Sequence, residues 1–352
     1  MISAKPLFFD YDLTDLEKLL VSWGEPGYRV DQVWRGMYRG LKVDPDPISN
    51  IPKSLRIKLK DHFNFNNLSV ERTQNSADGQ TEKTLFRLPD NLAIETVLMR
   101  YEKRRTLCIS TQSGCALGCV FCATGQMGFG RHLTSGEIVE QVVLFERVLR
   151  ENNDSLTNIV VMGMGEPFHN YDHTMAAMDR LNHPKGLNIG ARRFTISTVG
   201  LIPQILRFAN ERRQINLAIS LHAAEDKSRN SILPINKRYP LQDLMNACRE
   251  YVNTTHRRIT FEWALILDVN DTLEQANKLA ELLQGLLCHV NIIPLNPTNG
   301  YAGKATTIQR ARSFQGELVR KGISCTIRVR RGIDIQAGCG QLASETLNSN
   351  EV

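Results

Sequence analysis

The sequence predicts an α/β fold with a mainly parallel sheet, preceded by a small helical module. From about residue 92 onward, apolar runs alternate with helical stretches, whereas residues 1–90 show helical patterning interrupted by turns. Alternation of strands and helices is typical of parallel βα units. A sheet of such units, closed or partly closed, carries its working residues on the loops that follow the strands.

Residues 1–90 are predicted to form a separate helical domain. Helical patterning fits residues 13–23, 30–38 and 55–65, which are separated by turns rich in glycine and proline. The last of these helices carries four basic residues, namely Lys53, Arg56, Lys58 and Lys60. We expect this domain to position the substrate, although a domain that only caps the core would give the same pattern.

Residues 91–343 are predicted to form the core domain, and residues 344–352 a flexible tail. The predicted strands are 93–99, 107–111, 158–163, 194–197, 217–221, 259–266, 290–294 and 325–329. The predicted helices are 135–150, 173–182, 202–211, 241–253, 273–287 and 307–321. Thr134 and Glu137 have the spacing of a capping box at the start of the first helix. The alternation amounts to six βα units.

Composition narrows the class of protein. The chain has 352 residues, of which 42% are hydrophobic, and this is enough for a large core. No apolar stretch approaches the ~20 residues that cross a bilayer, and the first residues lack the apolar run of a signal peptide. We therefore expect a cytoplasmic protein. Its eight cysteines then favour metal binding or catalysis over a disulfide framework.

The net charge of +6 is compatible with a nucleic-acid partner. Basic residues cluster at 103–105, 192–193, 212–213, 257–258 and 328–331. A single cluster is typical of a solvated surface, but several clusters near strand ends favour a rim that faces RNA.

Three closely spaced cysteines are the main chemical signal. Cys115, Cys119 and Cys122 form a CxxxCxxC triplet within a glycine-bracketed loop, with Phe121 before the last cysteine. Iron–sulfur clusters are usually held by four cysteine thiolates, so three ligands leave one iron free to bind another molecule. Zinc sites favour paired CxxC units or mixtures with histidine, which the sequence does not offer here. Three ordinary buried cysteines are the alternative, and the loop context disfavours it.

Polar residues also follow several predicted strands. Gly165 and Glu166 end the strand 158–163, where glycine permits close backbone approach and a carboxylate accepts hydrogen bonds from an amine. Other strand-end positions are occupied by Ser197, Ser220, His222 and Asn296. Taken singly, such residues are usually helix caps or turn formers. Together on successive strands of one sheet they favour a shared ligand pocket.

Two further cysteines are candidates for catalysis. Cys339 lies between Gly338 and Gly340, which favours an accessible thiol and therefore a nucleophile. Cys108 lies on the strand that leads into the cysteine loop. The alternative for both is a small buried hydrophobic residue, and for Cys339 the flanking glycines argue against it.

Glu95 interrupts an apolar strand. Period-2 alternation places it on the same face as Val97 and Met99. A buried carboxylate has a raised pKa, which suits a proton acceptor. An edge strand with Glu95 facing water explains the pattern equally well, and the sequence alone does not decide between the two.

These motifs together resemble the RlmN family of dual-specificity adenosine C2-methyltransferases, which act on 23S ribosomal RNA and tRNA. The Cfr family, which methylates C8 of the same ribosomal adenosine, is similar. The resemblance extends from about residue 94 to 342 and includes the segments 108–115, 162–167, 220–222, 233–236 and 337–342. It implies a radical S-adenosylmethionine (SAM) core, which is a partial (βα)6 barrel of the TIM type, and the six βα units agree with this.

The resemblance also implies a reaction that uses a [4Fe–4S] cluster and two SAM molecules per turnover. One SAM would methylate Cys339 to an S-methylcysteine intermediate, and the second would be cleaved to a 5′-deoxyadenosyl radical. This radical would take hydrogen from the S-methyl group, and the resulting carbon radical would add to adenine. Glu95 would accept the ring proton. Cys108 would then form a transient disulfide with Cys339 and release the methylated RNA.

The family's functional positions are matched by this chain. The cluster ligands match Cys115, Cys119 and Cys122, and the SAM contacts match Gly165, Glu166, Ser197, Ser220, Leu221, His222 and Asn296. The implied substrates are an adenosine in the peptidyl transferase centre of 23S rRNA and an adenosine next to the anticodon in the tRNA anticodon loop. The resemblance further implies an RNA-binding N-terminal domain, an external flavodoxin-like electron donor and a monomer without membrane association.

Three other functions are compatible with parts of the sequence. A Cfr-type C8 methyltransferase, which confers antibiotic resistance, would share every catalytic residue, although the segments 162–167 and 261–263 look more like the C2 family. A non-catalytic cluster protein that senses redox state or transfers electrons would leave the cysteines Cys108 and Cys339 unexplained. A zinc-dependent RNA-binding module would hold zinc without iron and sulfide.

Overall fold

The computed structural model describes residues 5–343, and the predicted flexible tail at 344–352 lies outside them. Three helices come first, namely α1 (Leu13–Ser22), α2 (Tyr28–Tyr38) and α3 (Lys53–His62). Asp12 caps the start of α1, since its carboxylate accepts the N–H of Asp15 at 2.8 Å. These helices confirm the three helical patterns in the N-terminal part of the sequence.

The rest of the described chain alternates between strands and helices. The strands are β1 (Ser69–Asn75), β2 (Thr81–Arg87), β3 (Ala93–Arg100), β4 (Arg105–Cys108), β5 (Gln112–Gly114), β6 (Phe129–His132), β7 (Asn158–Val161), β8 (Phe194–Thr198), β9 (Asn216–Ser220), β10 (Ile259–Leu265), β11 (Cys288–Pro294) and β12 (Cys325–Ile327). The further helices are α4 (Ala123–Gln126), α5 (Ser135–Glu151), α6 (Tyr171–Asn182), α7 (Ile202–Asn210), α8 (Asp226–Ile232), α9 (Leu241–Thr255), α10 (Leu273–Leu283) and α11 (Ile308–Arg320). Between residues 5 and 343, no helix combines the length and the apolar character needed to cross a bilayer.

One mixed sheet organises the core. Its ten strands follow the order β1-β2-β3-β4-β7-β8-β9-β10-β11-β12, and β5 pairs with β6 in a separate hairpin. Neighbours from β4 to β12 run parallel, whereas β1, β2, β3 and β4 pair antiparallel. In the described part of the chain β1 and β12 do not pair, so the parallel strands form a partial barrel of six βα units, as predicted.

Residues 69–87 correct one expectation from the sequence. They lie in the range predicted to be a helical domain, but they form β1 and β2 and extend the main sheet. The side chains of β1 are almost all exposed, so no alternating apolar pattern identifies this strand. Because β2 pairs with β3 on its outer side, β3 is an interior strand of the sheet.

The start of α5 confirms the predicted capping box. The Thr134 hydroxyl accepts the N–H of Glu137 at 3.2 Å, and the Glu137 carboxylate accepts the N–H of Thr134 at 2.9 Å. These bonds satisfy two of the backbone donors that a helix start leaves free. The N-terminal segment packs against the same turn, where the Asp10 carboxylate accepts the N–H of Gly136 at 2.7 Å. The N-terminal helices and the sheet share one hydrophobic core.

Candidate functional site at the carboxyl ends of the strands

The three closely spaced cysteines lie in a loop between β5 and α4. The loop starts with a tight turn at Gly114, where φ is +77° and an added Cβ would lie 2.1 Å from the carbonyl oxygen of Gly128. The next N–H, that of Cys115, donates to the same carbonyl at 2.7 Å. Only glycine fits this position without moving the backbone. The β5–β6 hairpin therefore sets the start of the cysteine loop.

All three cysteines of the loop line one cavity of about 1030 Å³, part of which is open to solvent. Burial raises the pKa of Cys115 to about 12 and also raises the pKa of Cys119. Bound metal deprotonates such thiols. Within residues 5–343, no three His, Cys, Asp or Glu side chains are arranged to hold a single metal ion. Three thiols that line one cavity are a suitable donor set for an iron–sulfur cluster, in which each iron takes its own thiolate.

Gly165 and Glu166 lie in the same cavity, on the loop after β7. Gly165 has a φ of +98°, and an added Cβ would lie 2.5 Å from the Cβ of Gln112. The N–H of Glu166 donates to the Gln112 side chain at 2.8 Å. Burial raises the pKa of Glu166 to about 7, although its two carboxylate oxygens accept backbone N–H groups at 2.9 Å each. A side chain at Gly165 would therefore clash with Gln112. The two backbone hydrogen bonds fix the orientation of the Glu166 carboxylate.

Ser197 and Ser220 end β8 and β9 and face each other in the cavity, with their hydroxyl oxygens 3.3 Å apart. His222 follows with a φ of +61°, and its Nδ1 accepts the N–H of Ala264 at 2.9 Å. Burial lowers the pKa of His222 to about 3, so the ring is neutral. Since Nδ1 accepts a hydrogen bond, the proton of the neutral ring is on Nε2. Phe121 packs edge-on against this ring, with the ring centroids 5.0 Å apart.

Leu221 occupies a different environment from its two neighbours. Its side chain is fully buried in the core and does not line the cavity. Its carbonyl accepts the Nε–H of Arg229 at 3.1 Å. Any contact between Leu221 and a ligand in the cavity would therefore involve the backbone.

Asn296 connects the end of the sheet to the C-terminal loop. Its side-chain nitrogen donates to the carbonyl oxygen of Cys339 at 3.0 Å, and its buried side-chain oxygen has no hydrogen-bond partner. This oxygen is a free acceptor in the cavity wall. The C-terminal loop is also tied to the cysteine loop, because the N–H of Ala123 donates to Gly340 at 2.8 Å.

Cys339 lines the same cavity as the three cysteines of the loop. Its surface is exposed to the cavity and to solvent, as the flanking glycines predicted, while protein atoms around the thiol raise its pKa to about 11. Cys108 lies behind it on β4 and is buried. The charge of a thiolate at Cys339 would help to raise the pKa of Cys108. Both cysteines are free thiols here.

Glu95 is buried on the interior strand β3, which excludes the alternative of an edge-strand residue facing water. It contributes to a second cavity, which lies next to the C-terminal loop. Lys83 Nζ lies 3.0 Å from Glu95 Oε1, and the N–H of Ala343 donates to Glu95 Oε2 at 3.0 Å. Burial raises the pKa of Glu95, and the Lys83 charge opposes this shift. The side chain of Val97, two residues further along β3, lies opposite Cys108 in the sheet.

Several residues of the site were missed by the sequence analysis. Arg229 on α8 is completely buried and donates to the carbonyls of Val199 and Leu221 and to the side chain of Asn236. Glu262 on β10 lines the main cavity beside Cys339. Nothing in the local sequence signals the burial of Arg229, because Glu225 and Asp226 lie at helical spacing from it, as on a solvated helix. The signal for Glu262 was a carboxylate within the apolar run 259–266.

Comparison with known proteins identifies the family. A model of the radical SAM superfamily matches residues 109–283, and a model of the N-terminal domain of ribosomal RNA large subunit methyltransferase N (RlmN) matches residues 8–64. The dual-specificity RNA methyltransferase RlmN 1 of Myxococcus xanthus is 50% identical over 334 residues, which cover 94% of this chain and 93% of the relative. A probable RlmN of Geobacillus kaustophilus is 46% identical over 342 residues, covering 97% and 93%.

A solved structure agrees with these matches over the whole fold. The crystal structure of a radical SAM methyltransferase from Sphaerobacter thermophilus superposes with a TM-score of 0.94 at 49% identity, covering 97% of this chain and all of the other. The radical SAM superfamily uses a [4Fe–4S] cluster and SAM, and the cysteine loop and its cavity have a suitable donor set for both. The chain belongs to the RlmN family of the radical SAM superfamily.

Proposed function

We propose that the protein methylates C2 of an adenosine in the peptidyl transferase centre of 23S rRNA and of an adenosine next to the anticodon in tRNA. The observation that carries this proposal is that one cavity contains both the cysteine loop and Cys339. A cluster-binding protein that only transfers electrons would have no use for an accessible fourth cysteine at this place. The names of the related dual-specificity RNA methyltransferases support RNA as the substrate.

The residues that would hold the cofactors all converge on this cavity. Cys115, Cys119 and Cys122 would hold the [4Fe–4S] cluster, and SAM would be contacted by Gly165, Glu166, Ser197, Ser220, Leu221, His222 and Asn296. All of these except Leu221 line the cavity. When bound, the cluster and SAM supply a methyl group and radical chemistry at a carbon that ordinary displacement does not activate. The free acceptor of Asn296 is matched in chemistry to an ammonium or hydroxyl donor of SAM.

Cys339 would carry the carbon between SAM and RNA as an S-methylcysteine. Its thiol is accessible from the cavity, and the bond from Asn296 to its carbonyl fixes the backbone at this residue. C2 of adenine is not nucleophilic, so the carbon has to arrive in an activated form from a residue held beside the ring. Positioning on a protein side chain supplies the required proximity.

Glu95 and Cys108 would complete the reaction. Glu95 would take the proton from the ring carbon that has gained the new bond, since burial makes its carboxylate a stronger base. Cys108 would attack the sulfur of Cys339, forming a transient disulfide that frees the methylated RNA. The influence of a Cys339 charge on the pKa of Cys108 supports this step. So does the pairing of Cys108 with Val97, which lies two residues after Glu95 on the adjacent strand β3.

The remaining parts of the chain would serve RNA binding. The N-terminal domain would bind folded RNA around the cavity, and the sequence predicts this domain at residues 1–90. The basic clusters along the core would contribute to the same binding. An external flavodoxin-like protein would supply the electron, and the enzyme would work as a cytoplasmic monomer.

Nucleoside mass spectrometry tests this function. RNA from a strain without C2 methylation is analysed with and without the gene, and with the gene for Cys339→Ala as the matched control. We expect 2-methyladenosine in both 23S rRNA and tRNA from the wild-type gene alone. The appearance of 8-methyladenosine would assign the Cfr-type reaction instead. Equal methylation by the Cys339→Ala variant would rule out the S-methylcysteine route.

A further inference from the structure

One oxygen atom of a buried carboxylate in the main cavity has no hydrogen-bond donor. Glu262 lies on β10 and is 4% exposed. Its Oε1 accepts the side-chain N–H of Asn291 at 3.0 Å, whereas its Oε2 has no hydrogen-bond partner. The guanidinium of Arg328 is the nearest cation at 3.8 Å, which is too far for a hydrogen bond. A buried carboxylate oxygen without a donor is costly, and such atoms commonly face a ligand or a reacting group.

The other titratable acceptors in this cavity are already occupied. Among the described residues that line it, the carboxylates and imidazole are those of Glu166, His222 and Glu262. Both oxygens of Glu166 accept backbone N–H groups. The Nδ1 of His222 accepts the N–H of Ala264, so its Nε2 carries the proton and cannot accept another. Glu262 is therefore the residue whose lone pair is free to take a proton inside the cavity.

Cys339 needs such a proton acceptor. A thiol with a pKa of about 11 is almost entirely protonated at neutral pH, and the thiolate is the nucleophile. The Arg328 charge lowers the pKa of Cys339 and the Glu262 charge raises it, and Glu262 lines the same cavity as this thiol. A cation that stabilises the thiolate and a carboxylate that receives the proton are the two groups that the step requires.

We propose that Glu262 accepts the thiol proton of Cys339 when this cysteine is methylated, an inference that rests on the proposed function. The S–H bond breaks and its electron pair forms the new bond from sulfur to the methyl carbon. The bond from that carbon to the SAM sulfonium breaks, and its electron pair stays on the departing thioether. The proton is transferred to Oε2 of Glu262. No oxidant or reductant is consumed.

The polar interior of the barrel supports this role. Asn291 is oriented by Thr326, whose hydroxyl donates to the Asn291 side-chain oxygen at 2.9 Å, and this directs the Asn291 N–H to Glu262. His289 lies 2.9 Å from the same Thr326 hydroxyl. Both Glu262 and His289 line a further cavity of about 1890 Å³, partly open to solvent, at the amino ends of the strands. Barrel interiors are usually packed with branched apolar residues, so this polar lumen gives the proton a route to solvent.

Charged and titratable groups reach Glu262 from both cavities that it lines. The cavity at the amino ends of the strands contains Tyr101, Arg104, His256, Arg257, Arg258, His289 and Arg328. Arg328 faces it from the end of β12 and Cys339 from the C-terminal loop. Glu166 and His222 share the cavity from the ends of β7 and β9. Burial raises the pKa of Glu262, and Arg328 opposes the shift. The carboxylate is thus a stronger base than an exposed glutamate.

The test measures methylation of Cys339 directly in the cluster-loaded enzyme. After addition of SAM without RNA, intact-peptide mass spectrometry follows the gain of one methyl group on the peptide that contains Cys339. We compare the wild type with Glu262→Gln, which keeps the acceptor for Asn291, and with Glu262→Asp, which keeps a carboxylate. Glu281→Gln on the exposed surface of α10 is the matched control. Iron content and alkylation of Cys339 by iodoacetamide without SAM are measured on each variant.

We expect Glu262→Gln to slow the methylation of Cys339 about 100-fold at neutral pH, with recovery at alkaline pH where hydroxide replaces the base. Glu262→Asp should retain part of the rate, and Glu281→Gln all of it. Alkylation of Cys339 should be unchanged or faster in Glu262→Gln, because removal of the carboxylate lowers the pKa of the thiol. Equal methylation rates for the wild type and Glu262→Gln at every pH would overturn this inference alone, as would parallel losses of methylation and alkylation. A wild-type enzyme that never methylates Cys339 would instead contradict the proposed function.

Discussion

Lys83 and Glu95 form an ion pair inside the protein, with Lys83 Nζ 3.0 Å from Glu95 Oε1 and side chains that are 7% and 1% exposed. The pair lies between neighbouring strands β2 and β3, where Leu85 is the direct partner of Glu95. Lys83 Nζ also donates to the carbonyl of Gln336 at 3.3 Å in the C-terminal loop. One lysine therefore opposes the burial-induced rise in the pKa of Glu95 and links this carboxylate to the loop that carries Cys339.

Removal of the lysine leaves a buried carboxylate without its partner. We expect Lys83→Met to lower the free energy of unfolding by roughly 3–5 kcal/mol, and the double variant Lys83→Met/Glu95→Gln to regain much of this loss. Because the pKa of Glu95 rises further without Lys83, the acid limb of RNA methylation should move to higher pH. Chemical denaturation and a pH–rate profile measure the two effects. Additive losses in the double variant would show that the two side chains do not interact.

A substitution at Gly165 tests whether a ligand in the cavity approaches this backbone closely. Its φ is +98°, and an added Cβ would lie 2.5 Å from the Cβ of Gln112, so Gly165→Ala must displace the chain near Glu166. We expect weaker SAM binding and a lower thermal midpoint. Gly316→Ala is the matched control, since an added Cβ there meets nothing within 4 Å and the residue lies inside α11. That variant should be stabilised by about 0.5–1 kcal/mol. Unchanged SAM affinity in Gly165→Ala would count against a close approach of ligand to this backbone.

His222 predicts how stability depends on pH. Its pKa is lowered to about 3 by burial, so between pH 6.5 and 3 the unfolded chain binds a proton that the folded chain does not. Stability should therefore fall with acidification in this window, by about 1.4 kcal/mol per pH unit from this residue. His222→Asn retains an acceptor for the N–H of Ala264 and tolerates the positive φ. The variant should lose less stability between pH 6.5 and 5 than the wild type, as measured by denaturation at each pH. An equal loss would assign the acid sensitivity to other groups.

The sequence was sufficient for features that are encoded locally. Each parallel strand follows from a short apolar run and each longer helix from its periodicity, whereas the short helices α4 and α8 were not predicted. The capping box at Thr134 and Glu137 is a local pattern that formed as predicted. The cysteine loop was also local, because spacing and flanking glycines identify it. The shared cavity followed from a topological rule, since the carboxyl ends of parallel strands meet at one edge of the sheet.

Features that depend on contacts between residues far apart in the sequence could not be predicted from local patterns. The sequence around Glu95 was equally compatible with a buried and an exposed side chain. Glu95 is buried because β2 pairs with β3, and β2 was not predicted because Lys83 and Thr84 gave no apolar signal of a strand. Arg229 is polar and lies on the short helix α8, yet its guanidinium fills a gap between loop carbonyls that converge only in the folded chain. Burial of these charged side chains is a property of tertiary contacts, which local patterns do not encode.

Cys108 provides a test of product release. If it resolves the bond between Cys339 and RNA by forming a disulfide, Cys108→Ala should accumulate a covalent protein–RNA species during a single turnover. Cys248→Ala is the control, because Cys248 is also buried but lies on α9 within the core. Denaturing gels with labelled RNA measure the species. Free methylated RNA at the wild-type rate from Cys108→Ala would exclude the resolving role, whereas loss of the species in Cys108→Ala/Cys339→Ala would assign the attachment to Cys339.

We expect the strand ends that are proposed to contact SAM to depend on one buried guanidinium, that of Arg229. Its three nitrogen atoms donate to Leu221 at 3.1 Å, Asn236 at 2.7 Å and Val199 at 2.7 Å, and the carbonyls of Val199 and Leu221 belong to the loops after β8 and β9. Lysine keeps the charge but cannot reproduce the planar fork of donors. We expect Arg229→Lys to lower the free energy of unfolding by about 3 kcal/mol, since at least one acceptor loses a charge-assisted bond.

Arg229→Lys should also weaken SAM binding in the cluster-loaded protein, because the backbone around Ser220 and His222 would lose hydrogen bonds that hold it in place. Titration calorimetry with SAM measures this effect, and Arg238→Lys on the exposed surface after α8 serves as the control with the same chemical change. A variant that is destabilised but binds SAM with wild-type affinity would confine Arg229 to folding. A loss of affinity without a loss of iron would show that the guanidinium shapes the cavity wall.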